Sequence, residues 1–401
     1  DYCSRIKYRV ETYDMRCLIA KKILRTPTLR NVLDYHNQLA FSSTYTYLSK
    51  LYTAMLTFAL IESDHFSQKT WDDIQLQKLR HILSHAEKRV QFWRDLFNSL
   101  GFNPDRLKKL TDLQSIPVIT RQEVKRMSQR KLITDKIEFN RLVPNATSGS
   151  TGEPFRFYQD RSELYSRYIT AMEELRYINA PQGASVLIIG LQTHLYLNRL
   201  GERYRELDLE DSLKRRLIYS RIYRNKFGVL ISSPVTLERL AYFKERDRVD
   251  YRIDAILYRG EGLTKSRIAD ISRILGGTVF SSYGTRECSM IALQCSSKKN
   301  HLVPWMNYVE IVDEKSQPVL PGQEGRIIVT YFENEVMPFI RYDIGDRGRL
   351  NEQKCSCGRS TQTIEFTGRG GGVIVLSSGK QVSLFAFSTF IAKNFSSTIT
   401  K

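Results

Sequence analysis

Apolar residues recur at three- and four-residue intervals early in the chain. Leu76, Leu79, Ile82, Leu83 and Ala86 make one stripe, and Phe92, Trp93, Leu96 and Phe97 continue it. The spacing predicts helices, and with them an N-terminal helical region over 1–103. The longest apolar run, LYTAMLTFALI from Leu51 to Ile61, stops at Glu62, Asp64 and His65. It falls well short of the roughly 20 residues that span a bilayer, so it reads as a buried helix and no transmembrane segment is expected. Beyond Pro104 and Pro117 the pattern changes: the β-branched runs ASVLIIGL, FGVLISS, DAILYRG and GTVFSSYG alternate with the helix-like VTLERLAYFKER and SRIADISRIL. This alternation predicts a layered α/β body with mostly parallel strands over 104–300. After His301, NYVEIVD, GRIIVTYF and GRLNEQ follow without intervening helices, and Pro318, Pro321 and Gly322 mark a tight connection. A β-rich subdomain is therefore expected over 301–367. GRGGG at Gly368 opens a last segment, 368–401, read as a hinge and the start of an incomplete lid, because units below about 40 residues rarely fold alone.

The 401 residues are 41% hydrophobic and 26% charged, which supports a large core and excludes disordered and low-complexity classes. Sixty-one Lys and Arg against 43 Asp and Glu give +18, a surface suited to anionic partners: nucleotides, nucleic acid, acidic sugars or an anionic membrane face. The basic run Arg203 to Lys226 carries interspersed acids and reads as a solvated helix, so nucleic acid is not the expected partner. Nothing at Asp1 has the pattern of a secretory signal, which makes the cytoplasm the expected compartment. Cys3 and Cys17 lie near the start and Cys288, Cys295, Cys355 and Cys357 in the last third, a distribution that argues against a disulfide scaffold.

Thr147 to Pro154, TSGSTGEP, lies between a predicted strand and a helix beginning near Arg161. Its small residues let backbone amides and hydroxyls approach an anion closely, and it lacks the lysine of a Walker A loop. YRGEGL (Tyr258 to Leu263), SSYGTRE (Ser281 to Glu287), MPFIRYDIGD (Met337 to Asp346) and TGR (Thr367 to Arg369) follow in order. Five motifs in this order resemble the adenylate-forming enzymes that activate carboxylic acids with ATP. More narrowly, the chain resembles the phenylacetate-CoA ligase branch and the CapK-like proteins associated with capsular polysaccharide loci. The resemblance runs from about Leu76 to about Phe387, and it implies a large α/β N-terminal domain of layered sheets plus a β-rich subdomain, with a truncated C-terminal lid segment.

Carried over by motif, the resemblance implies that Ser148, Gly149, Ser150, Thr151 and Gly152 hold the β- and γ-phosphates of ATP. It implies that Tyr283, with Gly284 beside it, stacks on adenine, that Gly260 and Glu261 make adenine-side contacts, and that Asp346 accepts both ribose hydroxyls. Glu287 is the expected Mg²⁺ ligand, Thr151, Arg286 and Glu287 the expected catalytic set, and Arg369 the hinge arginine facing the nucleotide. A flat ring suits a purine, a carboxylate oxygen suits a hard cation, and one carboxylate accepts two vicinal hydroxyls. The family more commonly has Ser or Thr where Arg286 stands; a guanidinium there clamps the substrate or α-phosphate, or neutralises Glu287. Gly370, Gly371 and Gly372 stand where the family usually carries an acidic residue after Gly-Arg. Neither Lys380 nor Lys393 sits in a motif matching the family's lid lysine, so slow adenylation is expected. The implied reaction joins ATP to a carboxylic acid and passes the acyl group to CoA or another thiol or amine. A nucleotide-binding relative without turnover and an adenylyltransferase acting on a sugar-linked or protein-bound acid fit the same motifs. The sequence names neither acid nor acceptor, and leaves the oligomeric state open, a homodimer included.

Cys295, His301, Cys355 and Cys357, spaced C-x5-H and then C-x-C, supply the four ligands of a tetrahedral Zn²⁺, and Gly358 gives the knuckle a tight backbone. With no open position such a site is structural. Relatives of the branch carry a similar cluster, and Cys288, beside Glu287, is an alternative ligand. His81 and His85 lack the glutamate of an H-E-x-x-H motif and read as a helix-surface pair. His194 either lines an acyl pocket or is a satisfied loop histidine.

Overall fold

The computed structural model describes residue 23, residues 59–369 with breaks at 136, 138–141, 147–154, 161–162, 182, 192–200, 226 and 261, and residues 373–375 and 381–383. Helix α1 (Gln68–Arg89) starts where the Ser67 side chain accepts from the Thr70 amide. Of the stripe read from the sequence, Leu79, Ile82, Leu83 and Ala86 are inside and Leu76 is half-buried, and Ile74, outside the stripe as read, is buried with them. Helix α2 (Gln91–Leu100) ends at Gly101, whose left-handed backbone (φ 61°) a side chain would strain. Of the Leu51 to Ile61 run only the end lies among the described residues; there Ala59 and Leu60 are buried and Ile61 is exposed. No described helix is long and apolar enough to cross a membrane.

The framework is one twelve-stranded sheet. Its first half is parallel and built from β5 (Glu202–Tyr204), β4 (Val186–Ile189), β6 (Val229–Ser232), β7 (Ala255–Arg259) and β8 (Thr278–Thr285), in that spatial order. VLII, VLIS and AILYR are buried throughout, as strands covered on both faces must be. One face packs on α6 (Pro234–Arg246) and α7 (Lys265–Leu275), and the other on α4 (Glu163–Tyr177) through Ala171, Leu257 and Phe280. Helix α5 (Ser212–Asn225) corrects the reading of a solvated helix: it buries Arg215, Ile218, Tyr219 and Ile222 on one side, and only its other side meets water.

At β8 the sheet turns antiparallel, continuing through β9 (Ser289–Gln294), β10 (Asn300–Leu302), β14 (Thr363–Arg369), β13 (Tyr342–Leu350), β12 (Gly325–Tyr331) and β11 (Asn307–Val312). The two-residue β1 (Ile119–Thr120) adds to β13 in parallel. Arg341, before β13, ties this region together from a buried position. Its Nε donates to Glu310 Oε2 at 3.1 Å, Nη2 lies 3.1 Å from Glu310 Oε1, and Nη1 donates to the carbonyls of Gln114 and Ile116. His81 and His85 lie partly exposed on α1. Both reach Glu335, His81 Nε2 to its carboxylate at 2.8 Å and His85 Nε2 to its carbonyl at 2.9 Å, fastening α1 to the β12–β13 connection.

Candidate active site

The hairpin from β8 to β9 carries the first candidate residues. Gly284 is required there, since a Cβ would lie 2.1 Å from the Ser289 carbonyl oxygen. Just before it, Tyr283 lays its ring on Phe366 of β14, with centroids 3.5 Å apart and planes at 28°, and its hydroxyl donates to Asp346 Oδ2. Two residues predicted to meet one nucleotide thus touch across 63 positions of chain. The β13–β14 register sets Arg369 directly opposite Asp346. Gly260 follows β7 with φ 113°, a conformation that favours glycine.

Glu287 is 1% exposed. Its Oε1 accepts from Arg121 Nη2 at 2.8 Å and from the Tyr342 hydroxyl at 3.2 Å. Arg121 reaches it because β1 pairs with Tyr342 and Asp343, and because Thr120 caps helix α3 (Arg121–Arg126) in a box with Glu123. Burial opposes the charge of Arg121, but Glu287 and Tyr342 together outweigh it and the guanidinium pKa is raised. Burial likewise pushes the Tyr342 phenol up, so it stays a donor.

The direct ion pair of Glu287 is with Arg121, while Arg286 acts on it only through space. The Arg286 guanidinium turns instead to the end of β2 (Leu142–Ala146), donating to the Ala146 carbonyl at 2.7 Å, next to the phosphate-loop motif. Burial lowers its pKa. The Arg286 carbonyl accepts from Arg167 Nη2 at 2.9 Å, and Arg167 is held by Glu163 at 2.6 Å inside α4. Sequence reasoning missed Arg121, Arg167, Tyr342 and Phe366. Tyr342 lies within MPFIRYDIGD and Phe366 directly before TGR, so proximity to a motif was a usable signal for those two; Arg121 and Arg167 had none. Ser148, Gly149, Ser150, Thr151, Gly152, Glu261, His194, Lys380 and Lys393 lie outside the described residues, as does the side chain of Arg369.

Cys295, His301, Cys355 and Cys357 converge, their donor atoms all within 4.8 Å of one another. Cys295 Sγ is 3.7 Å from Cys355 Sγ, and Cys357 Sγ is 3.3 Å from His301 Nε2. Ligands at about 2.3 Å in a tetrahedron put sulfurs roughly 3.8 Å apart, so this donor set fits a metal ion. His301 Nδ1 faces the Thr361 carbonyl at 2.9 Å, which aims Nε2 at the thiols, and burial lowers the imidazole to about 4, leaving it neutral. Cys288 is not among them; it is buried in the β8–β9 turn, its amide donating to Thr285 Oγ1.

No family profile matches the chain. Curated relatives include the phenylacetate-coenzyme A ligase of Escherichia coli (strain K12), 25% identical over 292 residues, 69% of this chain and 66% of the relative. That of Aromatoleum evansii is 25% identical over 335 residues, covering 80% and 74%. The chain thus spans just under two thirds of the length of the Escherichia coli relative. Among solved structures, a 2-hydroxyisobutyryl-CoA ligase in the postadenylation state with R3-HIB-AMP superposes with a TM-score of 0.70 at 17% identity, covering 82% of this chain and 73% of that one. Its open conformation with 2-HIB-AMP and CoA gives 0.65 at 16% identity, covering 80% and 79%. The chain therefore has the fold of a 2-hydroxyisobutyryl-CoA ligase and is similar in sequence to phenylacetate-coenzyme A ligases.

Proposed function

We propose that the chain activates a carboxylic acid with ATP. A carboxylate oxygen attacks the α-phosphorus, pyrophosphate leaves with the electrons of the broken P–O bond, and the acyl-adenylate stays bound for transfer to CoA or another thiol or amine. Two contacts support this reading: Tyr283 of β8 donates to Asp346 of β13, and Glu287, in the turn after β8, accepts from Tyr342 of β13, both within a sheet with the fold of an acyl-CoA ligase. In this reading Tyr283 offers adenine a flat face, and Asp346 exchanges the hydrogen bond from Tyr283 for those of the ribose hydroxyls. The 148–152 loop takes the β- and γ-phosphates, with Arg286 anchoring the strand that leads into it. Glu287, oriented by Arg121 and Tyr342, would hold Mg²⁺, which supplies positive charge against the departing pyrophosphate. Cys295, His301, Cys355 and Cys357 would hold a structural Zn²⁺ with no open position.

Pyrophosphate release measured over a panel of carboxylic acids tests the reading. Release that depends on both acid and Mg²⁺, and that collapses in Glu287→Gln, is the expected result. Release independent of added acid, or none with any acid, would overturn it.

A further inference from the structure

Ligands of open α/β sheets bind beyond the carboxyl ends of the parallel strands. Here that edge carries Gly260 after β7 and Tyr283 near the end of β8. Directly beside them the layer under α4 is polar. Arg259, the last residue of β7, is 6% exposed and pairs through Nη2 with Glu174 of α4, which is fully buried. Ser282 stands opposite Arg259 in the parallel register, so the two side chains leave the sheet on the same face. It is 8% exposed. Among the described residues, neither Ser282 Oγ nor Glu174 Oε1 has a hydrogen-bond partner.

Further in, Ala171, Leu257 and Phe280 pack together in this layer, with the Lys298 ammonium over the Phe280 ring. A buried hydroxyl and a carboxylate oxygen left unpaired cost free energy, and a purely hydrocarbon acyl chain would leave them so. An acyl group bearing hydroxyls offers a donor to Glu174 Oε1 and an acceptor or donor to Ser282 Oγ, while Arg259 fixes the Glu174 carboxylate in place.

We propose, resting on the acid-activating reading above, that the acid is hydroxylated and that Ser282 and Glu174, positioned by Arg259, read its hydroxyl groups. The test is calorimetric binding of acyl-sulfamoyladenosines, stable mimics of the acyl-adenylate, in pairs differing only by hydroxyl: lactoyl and propionyl, 3-hydroxybutyryl and butyryl, mandelyl and phenylacetyl, gluconyl and hexanoyl. In at least one pair the hydroxylated member is expected to bind about tenfold tighter or more, since a site built to pair a hydroxyl rejects the analogue lacking it. In Ser282→Ala, and separately in Glu174→Gln, that ratio is expected to fall to about threefold or less. Mimics that bind with hydroxyls neutral or unfavourable in every pair would overturn this inference while leaving the proposed activity standing. Failure of all mimics and of ATP to bind would overturn both.

Discussion

Arg341→Met, which keeps the length of the side chain and removes its charge, leaves the buried carboxylate of Glu310 without its counter-ion and the carbonyls of Gln114 and Ile116 without their donor. Breaking a buried pair from one side costs about 3–5 kcal/mol. At about 2.1 cal/mol/K per residue, a chain of this length unfolds with an entropy near 0.8 kcal/mol/K, so a loss of about 4 kcal/mol lowers Tm by roughly 5 °C. Arg341→Met with Glu310→Met removes the orphaned charge and is expected to recover at least half of that loss; the remainder is the two carbonyls. The pH dependence has a definite sign. Burial raises the pKa of Glu310 against the pull of Arg341. A carboxyl with a raised folded pKa keeps its contribution below its unfolded pKa and loses it as pH rises through the folded one. Removing Arg341 raises that pKa further, so the deficit of the single variant should be largest near pH 8 and shrink toward about pH 5. Melting curves of the three proteins across this range decide the matter. Equal losses in the single and double variants, or a deficit that does not shrink on acidification, would refute the reasoning.

Asp346→Ala is expected to weaken ATP binding at least about tenfold in calorimetry, each lost hydrogen bond to a charged acceptor being worth about 1.5–3 kcal/mol; an unchanged affinity would contradict the ribose assignment. Gly284→Ala drives a methyl to 2.1 Å from the Ser289 oxygen and should abolish both the β8–β9 turn and nucleotide binding. A soluble variant with wild-type nucleotide affinity would show that the turn tolerates a side chain. Cys355→Ser with Cys357→Ser is expected to lose about one zinc per chain by metal analysis and to melt earlier. Metal-free wild-type protein, prepared reduced and without chelator, would end the zinc proposal.

What the sequence made legible was local or ordered. The helix periodicity of Leu79, Ile82, Leu83 and Ala86 needs only neighbouring residues, and the C-x5-H and C-x-C spacings announce ligands before any fold is known. Tyr283 and Asp346 were readable as members of ordered motifs. Arg121 was not, because its partnership with Glu287 arises from a pairing of β1 with β13 that no local pattern encodes. The apolar side of α5 escaped notice because Arg215, among the charges that suggested a solvated helix, is itself buried against Phe243 and paired with Asp247. Arg286 was read beside its sequence neighbour Glu287, yet a turn directs adjacent side chains to different places.

The shortness of β1 has a consequence for the order of assembly. Arg121 and Tyr342 are 221 residues apart, and the strand that joins them has only two residues with which to repay the closure of that loop. The β8–β9 hairpin, by contrast, needs only its own turn. Tyr283 and Glu287 are therefore brought near each other early, while the counter-ion of Glu287 docks after the last third of the described body has folded. Hydrogen-exchange labelling during refolding should accordingly protect the amides of β9 before that of Ile119, which donates to the Arg341 carbonyl. During synthesis, a chain halted short of Tyr342 has made every strand of the parallel sheet and still has no β13 to receive Arg121.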